Sequence, residues 1–231
     1  MGLKDELVIE IDTIFAEKWD VRQGYVVPTE TSIKLSNDAV KVDGVVLYAD
    51  IADSTKMVQL RVDFAAAEIY KAFLRCSARI ILAEGGTVTA YDGDRVMAVF
   101  VGAGKETTAV RTALKIKWAV QNIVNPRRNA VYTKTPFEMH HVVGIDTSEL
   151  FVARSGVRGS NDLVWVGRAA NYAAKLASLS HSYSTYITQS VYSAMDMSVT
   201  LDNQIRMWTP RVWSEFDNST VYASNYSWSL V

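Results

Sequence analysis

The segment TVTAYDGDRVMAVF, residues 87–100, constrains the fold more than any other part of the chain. Two apolar runs flank its DGD turn, and a short glycine-containing turn between such runs predicts a β-hairpin with Asp94 at its tip. A second β-rich run, GVVLYADI at 44–51, also ends in an acid, Asp50. Both carboxylates are therefore expected at strand ends, where rigid scaffolds position catalytic groups.

Strands and helices alternate along the rest of the chain. The spacing of apolar residues predicts a helix over 56–84, ended by a Gly-Gly pair, and a second over about 105–125. Further strands are predicted in FEMHHVVGID, ELFVAR, DLVWV and TYIT, and the helix GRAANYAAKLASL follows DLVWV. This order predicts an α+β fold, a mixed and mainly antiparallel sheet flanked by helices.

The first residues differ in character from the rest of the chain. LKDELVIEIDTIFAEKW has helical spacing, and the polar stretch 23–38 predicts a loop. We therefore expect residues 1–40 to form a helical N-terminal extension. Residues 41–231 would form the main domain, with edge strands in the tail 200–231.

Charge and cysteine content exclude several classes of protein. Lys and Arg total 24 against 25 Asp and Glu, and a net charge of −1 argues against a nucleic-acid binder. The single cysteine, Cys76, cannot form an intrachain disulfide, which favours a reducing compartment. No stretch approaches the ~20 apolar residues of a membrane span. We expect a cytoplasmic protein without nucleic-acid or membrane partners.

The two strand-end acids have a chemical and a structural interpretation. Carboxylates that converge from adjacent strands suit Mg²⁺ or Mn²⁺, and two such ions can hold a triphosphate during an in-line displacement. Alternatively, Asp50 caps the next helix and Asp94 is a turn residue. Asp53, Ser54 and Thr55 resemble an N-cap before Lys56, and the N–H groups of a helix start can also bind phosphate.

A second polar pair lies in the helix GRAANYAAKLASL. Asn171 and Lys175 are four residues apart and share one helix face. Asparagine can hydrogen-bond a sugar, and lysine can stabilise the charge that develops on a phosphate. The alternative is an ordinary solvated helix face.

Taken in order, the segments LYADIADST, GGTVTAYDGDRVMAVF, VGIDTSELFVA and LVWVGRAANYAAKLASL resemble the class III nucleotidyl cyclases. The resemblance implies a ferredoxin-like palm fold and two Mg²⁺ or Mn²⁺ ions in each active site. Asp50 and Asp94 match the family's metal-binding aspartates, and Ile51 matches the residue whose carbonyl also contacts a metal. Asn171 matches the ribose-positioning asparagine, and Lys175 stands where the family usually has a transition-state arginine.

The resemblance also implies a head-to-tail homodimer. In this family the metal aspartates come from one subunit and the asparagine–arginine pair from the other. This chain carries both sets, so two equivalent sites are expected per dimer. Each site would cyclise a nucleoside triphosphate: the 3′-oxygen attacks the α-phosphorus and pyrophosphate leaves.

Two positions at which this chain differs from purine cyclases indicate which nucleotide base it binds. Purine cyclases have a lysine where this chain has Ala90, and adenylate cyclases an aspartate or threonine where it has Val164. Because Ala90 and Val164 have no polar side-chain groups, these positions cannot hydrogen-bond a purine base. The chain is therefore most similar to the pyrimidine cyclases of the bacterial Pycsar antiphage systems, whose cyclic nucleotide activates an effector. UTP is the expected substrate and CTP the second choice; an adenylate cyclase with a rewired pocket and a catalytically silent nucleotide-binding regulator are alternatives.

Other positions near the motifs have two interpretations each. Tyr48, two residues before Asp50, is a candidate for the base pocket or a core residue. Arg95 is a candidate for base or phosphate binding, or forms a surface salt bridge. His140 and His141 alternate along a predicted strand, so we expect them to be structural rather than metal ligands.

Overall fold

The computed structural model describes residues 2–60 and 63–230. The predicted helix 56–84 therefore includes two positions, 61–62, outside the described residues, and the structure has one helix on each side of them. The helices are α1 (Leu3–Ala16), α2 (Ser54–Leu60), α3 (Asp63–Ala83), α4 (Lys105–Ala119), α5 (Asn125–Val131), α6 (Arg168–Ala177) and α7 (Gln189–Ala194), with a π-helical turn over Val120–Val124 and 3₁₀ turns over Glu30–Ser32 and Met197–Val199.

Most of the strands form one mixed sheet. The described strands are β1 (Asp20–Gly24), β2 (Asp38–Ile51), β3 (Thr87–Asp92), β4 (Arg95–Val101), β5 (His141–Val157), β6 (Ser160–Val166), β7 (Thr185–Thr188), β8 (Leu201–Asp202), β9 (Ile205–Arg206), β10 (Thr209–Trp213) and β11 (Ser219–Ser224). The sheet order is β10-β11-β7-β5-β2-β4-β3, and among the described strands only the β1–β2 and β5–β7 pairs are parallel. β6 pairs with β5, and β8 and β9 form a separate ribbon. The predicted α+β architecture is confirmed.

Three element bounds differ from the predictions. One continuous strand, β5, replaces the two strands predicted in FEMHHVVGID and ELFVAR, because β2 pairs with it along nearly its whole length. The predicted loop 23–38 overlaps both β1 and the start of β2. Since β1 joins the main sheet beside β2, residues 20–24 belong structurally with the domain, and the boundary at residue 40 stays a prediction.

Helices cover both faces of the sheet. α3 and α4 pack on one face, with Phe73, Phe100 and Leu114 almost fully buried between them and the strands. α6 packs on the other face, against Leu150 and Val152 of β5. Alternate residues of β2 therefore point to different layers, and the side of β2 that carries Tyr48 and Asp50 is the α6 side.

Close contact between α6 and β5 depends on Gly144. A Cβ atom at this position would lie 2.1 Å from the backbone oxygen of Ala173 and 2.5 Å from the backbone nitrogen of Ala177. Any larger residue would push the helix away from the strand. Glycine thus fixes how α6 sits on the sheet, and with it the direction of the opposite, exposed helix face.

The N-terminal helix α1 is present as predicted, but no residue of it is buried. Its C-terminal end is attached to the domain by Asn37, whose side-chain amide donates hydrogen bonds of 2.8 Å to the carbonyls of Ile14 and Glu17. Within the described residues, no helix is both long and apolar enough to cross a membrane.

Candidate active site

Asp50 and Asp94 lie at neighbouring ends of β2 and β4. Asp50 is the penultimate residue of β2 and pairs across the sheet with Arg95, the first residue of β4. Asp94 directly precedes β4, in a turn whose Gly93 has a φ of 60°, a conformation that glycine adopts without strain. The predicted hairpin is confirmed, and its tip brings the second carboxylate beside the first.

The environment of Asp50 disfavours its negative charge. The residue is 8% exposed, and Arg95 donates a 2.8 Å hydrogen bond to its Oδ2. Burial raises the pKa of this carboxyl to about 6, and Asp94 adds to the rise, although Arg95 and the N–H of Ile51 oppose it. Arg95 thus forms an ion pair, and its partner is Asp50, a predicted metal ligand. The protein compensates the Asp50 charge only in part, which favours a bound cation.

This raised pKa predicts how metal binding depends on pH. A cation competes with the proton on Asp50, so Mn²⁺ affinity should fall as pH drops through about 6, whereas an ordinary aspartate would stay ionised to about pH 4. In the absence of metal, the free energy of unfolding has the opposite pH dependence. The folded chain holds the Asp50 proton more tightly than the unfolded chain, so the free energy of unfolding declines as pH rises toward 6. Titrating Mn²⁺ at pH 5, 6 and 7, with free ion measured by electron paramagnetic resonance, checks the first effect. Equal affinity at pH 5 and 7 would contradict it.

The Asp94 side chain has an unsatisfied oxygen. Its Oδ2 is buried and accepts no hydrogen bond from any described residue. A buried carboxylate oxygen without a hydrogen-bond partner destabilises the folded chain unless a bound ligand supplies the missing contact. Oxygen donors of this kind suit Mg²⁺ or Mn²⁺. In the described part of the chain no group of three His, Cys, Asp or Glu side chains forms a metal site, so the pair would need a backbone carbonyl, such as that of Ile51, and substrate oxygens to complete the coordination.

Tyr70 is a site residue that sequence reasoning missed. Its apolar spacing on α3 indicates a core residue, and its ring does pack against the core. Its phenol, however, forms a hydrogen bond with the Ser54 side chain and lies close enough to Asp94 and Asp50 for their charges to raise its pKa, after burial as the main cause. Tyr70 therefore connects the start of α2 to the carboxylate pair.

The loop between β2 and α2 has a special backbone. Asp53 has a φ of 55°, a left-handed conformation that aspartate tolerates better than most residues. The Met57 N–H donates to the Asp53 carbonyl at 3.1 Å, and α2 begins at Ser54 rather than at Lys56. Asp53, Ser54 and Thr55 thus lie at a helix start, as predicted.

Tyr48 and Ala90 flank one residue on the sheet. Both pair with Met97, Tyr48 from β2 and Ala90 from β3, and cross-strand partners point to the same face. The β3–β4 register shifts between Val88 and Ala90, a bulge of the kind often found beside active sites. These residues form an apolar row next to the Asp50–Arg95 row.

The second predicted group lies elsewhere in the chain. Asn171 and Lys175 are exposed on α6, opposite the helix face that packs on β5. The Lys175 ammonium lies 4.6 Å from the centre of the Phe216 ring, in the connection between β10 and β11. Val164 is 43% exposed on β6.

We call the predicted pairs Asp50–Asp94 and Asn171–Lys175 the two half-sites, and they lie in different parts of the chain. β10 is at one end of the sheet order and β3 at the other, so Phe216 and the DGD turn belong to opposite edges. Among the described residues, no hydrogen bond or ion pair links Asp50 or Asp94 with Asn171 or Lys175. The structure brings each predicted pair together but does not join the two pairs.

Comparisons with known proteins identify close relatives over the full length. The chain is 54% identical to a uridylate cyclase from Xanthomonas perforans and 45% identical to one from Burkholderia cepacia, in both cases covering 100% of both chains. It is 36% identical to a uridylate cyclase from Rhodovulum sp. (strain MB263), covering 98% of this chain and 97% of the relative. No family model matches the chain.

Solved structures show the same fold at lower identity. A bacterial light-regulated adenylyl cyclase superposes with a TM-score of 0.69 and 21% identity, over 83% of this chain and 54% of that one. An adenylyl cyclase from P. aeruginosa gives 0.65 and 20%, over 80% and 95% of the two chains. A guanylyl cyclase gives 0.66 and 16%, over 82% and 95%.

The relatives and the fold agree with the motif resemblance. Full-length identity of 54% to one relative goes far beyond the motifs themselves, and the shared architecture extends over most of the chain. The resemblance to class III nucleotidyl cyclases is thereby confirmed. The chain belongs to the uridylate cyclase family, which has the class III nucleotidyl cyclase fold.

Proposed function

We propose that this protein is a uridylate cyclase that converts UTP to 3′,5′-cyclic UMP and pyrophosphate. The observation that carries the proposal is the Asp50–Asp94 pair, in which Asp50 is buried and the Oδ2 of Asp94 is buried without a hydrogen-bond partner, in a chain 54% identical to a uridylate cyclase. A catalytically silent regulator would have no need for a buried carboxylate beside a second carboxylate that has an unpaired oxygen. Three relatives that share the name uridylate cyclase favour UTP over CTP.

The chain's own residues have complementary roles in this reaction. Asp50, Asp94 and the Ile51 carbonyl would hold two Mg²⁺ or Mn²⁺ ions, which supply positive charge to the triphosphate and the attacking 3′-oxygen. Arg95 now pairs with Asp50; a cation at that carboxylate would release its guanidinium for a phosphate oxygen. The start of α2, from Asp53 to Thr55, would bind the terminal phosphates.

Asn171 and Lys175 would act from the other chain of a head-to-tail homodimer. Asn171 would orient the ribose, and Lys175 would stabilise negative charge on the α-phosphate as pyrophosphate leaves. The separation of the two half-sites within one chain supports this arrangement. Lys175 keeps the positive charge of the family's arginine but has no planar fork, so its contact with phosphate is less directional.

The base pocket would select a pyrimidine by removing purine contacts. Ala90 and Val164 offer no hydrogen bonds to a purine edge. Tyr48 is half-buried beside Met97, and its ring would provide a flat apolar surface for a small base.

Product analysis tests the proposal directly. Incubating the purified protein with Mn²⁺ and each of ATP, GTP, CTP and UTP should give cyclic UMP as the main product by mass spectrometry. Cyclic CMP as the main product would instead support the cytidylate cyclase alternative. Cyclic AMP would support a rewired adenylate cyclase, and nucleotide binding without any product would support the silent regulator.

The cellular role follows from the family resemblance. We propose that the cyclic nucleotide is a second messenger in antiphage defence that activates a separate effector protein in the cytoplasm. The near-balanced charge of the chain supports a function that does not require binding to nucleic acid.

A further inference from the structure

A polar cavity of about 200 Å³ lies next to the first residues of β5. It is bounded by the end of α4, the π-helical turn, the loop before β7 and the C-terminal tail. π-Helical turns are frequent at functional sites. The side chains that matter for its chemistry are Lys117, Gln121, Glu138, His140, His141 and His181.

More basic than acidic side chains line the cavity. Lys117 and the histidines 140, 141 and 181 line it, and the acid Glu138 is exposed at its rim. Burial lowers the pKa of Lys117, and Glu138 opposes this only in part. Lys117 is therefore a partly buried cation, and an anion in the cavity would stabilise its positive charge.

His141 forms one wall of the cavity and is incompletely satisfied. The residue is 4% exposed and its ring packs 5.7 Å from that of Phe73. Its Nε2 has no hydrogen-bond partner among the described residues. A buried ring nitrogen without a partner is unfavourable unless a ligand or water completes it. Because His141 lines the cavity, a molecule bound there can supply this partner.

The cavity is separate from the carboxylate pair. His141 pairs across the sheet with Ile51 and faces the α3–α4 layer, because its ring contacts Phe73. Asp50 faces the α6 layer. Among the described residues that line the cavity there is neither Asp50 nor Asp94.

The same cavity contacts the loop after β2. The His140 carbonyl accepts a 3.0 Å hydrogen bond from the Ala52 N–H. The His181 ring stacks on His140, with ring centres 4.9 Å apart, and its Nδ1 lies 3.6 Å from the Asp53 carboxylate. Residues of the cavity wall thus hold the loop that we assign to the substrate phosphates.

We propose that this cavity is a binding site for a small oxyanion of the size of inorganic phosphate, distinct from the triphosphate site. Its volume accommodates such an ion with a few waters, each of which occupies ~30 Å³ in the liquid. Its basic and polar lining argues against an apolar ligand, and among the described residues no group of three His, Cys, Asp or Glu side chains is placed to hold a metal ion. Because its wall contacts Ala52 and Asp53, the bound anion and the substrate should alter each other's affinity by the same factor; this coupling rests on the proposed function.

Calorimetric titration of the full chain with inorganic phosphate tests the site. Wild type should bind phosphate both alone and when saturated with 3′-deoxy-UTP, a UTP analogue that has no attacking 3′-hydroxyl. Lys117→Gln should weaken phosphate binding at least about tenfold, since it removes a partly buried charged donor. His181→Asn, at a half-exposed position, should also weaken it. Lys134→Gln, at an exposed lysine outside the cavity, should leave the affinity unchanged.

Three results would overturn the oxyanion site. They are no phosphate binding at millimolar concentration, complete loss of binding in the presence of 3′-deoxy-UTP, and equal weakening by Lys117→Gln and Lys134→Gln. The first excludes the site, the second places phosphate in the triphosphate site, and the third indicates non-specific attraction. If 3′-deoxy-UTP itself does not bind, the proposed function fails, while Lys117-dependent phosphate binding would still establish the oxyanion site.

Discussion

Replacing Asp50 by asparagine is expected to lower metal-dependent cyclisation by about 10³-fold or more, because removing a single preorganised electrostatic contact to a transition state already costs ~10²–10³-fold. The amide has nearly the same volume as the carboxylate, and its oxygen can still accept the hydrogen bond from Arg95. The substitution therefore removes the charge and leaves the shape. Mn²⁺ affinity should fall together with activity.

The fold should survive this substitution. Asp50 is buried with a raised pKa, so its ionised form opposes folding, and the neutral amide should leave the thermal midpoint without metal equal to or above that of wild type. Asp43→Asn is a matched control, since Asp43 is an exposed acid on the same strand that pairs with Lys105. Full activity of Asp50→Asn, or a similar loss in Asp43→Asn, would show that the metal assignment is wrong.

Mixing two inactive variants should restore activity. In a head-to-tail dimer, Asp50→Asn damages the metal half of a site and Lys175→Ala damages the other half. A mixed dimer then has one site with both defects and one site with none. Equal mixing with free exchange makes about half of the dimers mixed, so activity should recover to about a quarter of wild type.

A mixture of two variants that damage the same half-site is the control for this experiment. Asp50→Asn mixed with Asp94→Asn should remain inactive, because every site then lacks one carboxylate of its pair. Native mass spectrometry would show whether mixed dimers form. Absence of recovery with Asp50→Asn and Lys175→Ala, despite mixed dimers, would falsify the shared site, and so would equal recovery in the control mixture.

Local patterns predicted the parts of the site that depend on neighbours in sequence. The DGD turn with Asp94 and the shared face of Asn171 and Lys175 follow from strand and helix periods. The polar stretch around Thr147 and Ser148 interrupts the apolar pattern, which is why β5 was expected as two strands. Its pairing with β2 carries the strand through this stretch.

Contacts between distant segments could not be predicted in this way. The Ser54–Tyr70 hydrogen bond and the His181–Asp53 contact each join separate elements. Tyr70 has the spacing of a core residue, and only the packing of α3 beside the hairpin brings its phenol to the carboxylates. The oligomeric state and the roles of individual site residues stay predictions until the variants are measured.

In the proposed head-to-tail homodimer, the two half-sites that one chain keeps apart belong to different active sites, and this has a consequence for signalling. A single chain is then silent whatever its substrate supply, and turnover requires an encounter between two chains. Below the dissociation constant of the dimer, the number of complete sites falls with the square of chain concentration. A cell with few copies would make almost no messenger, and a modest rise in copy number would increase its output steeply.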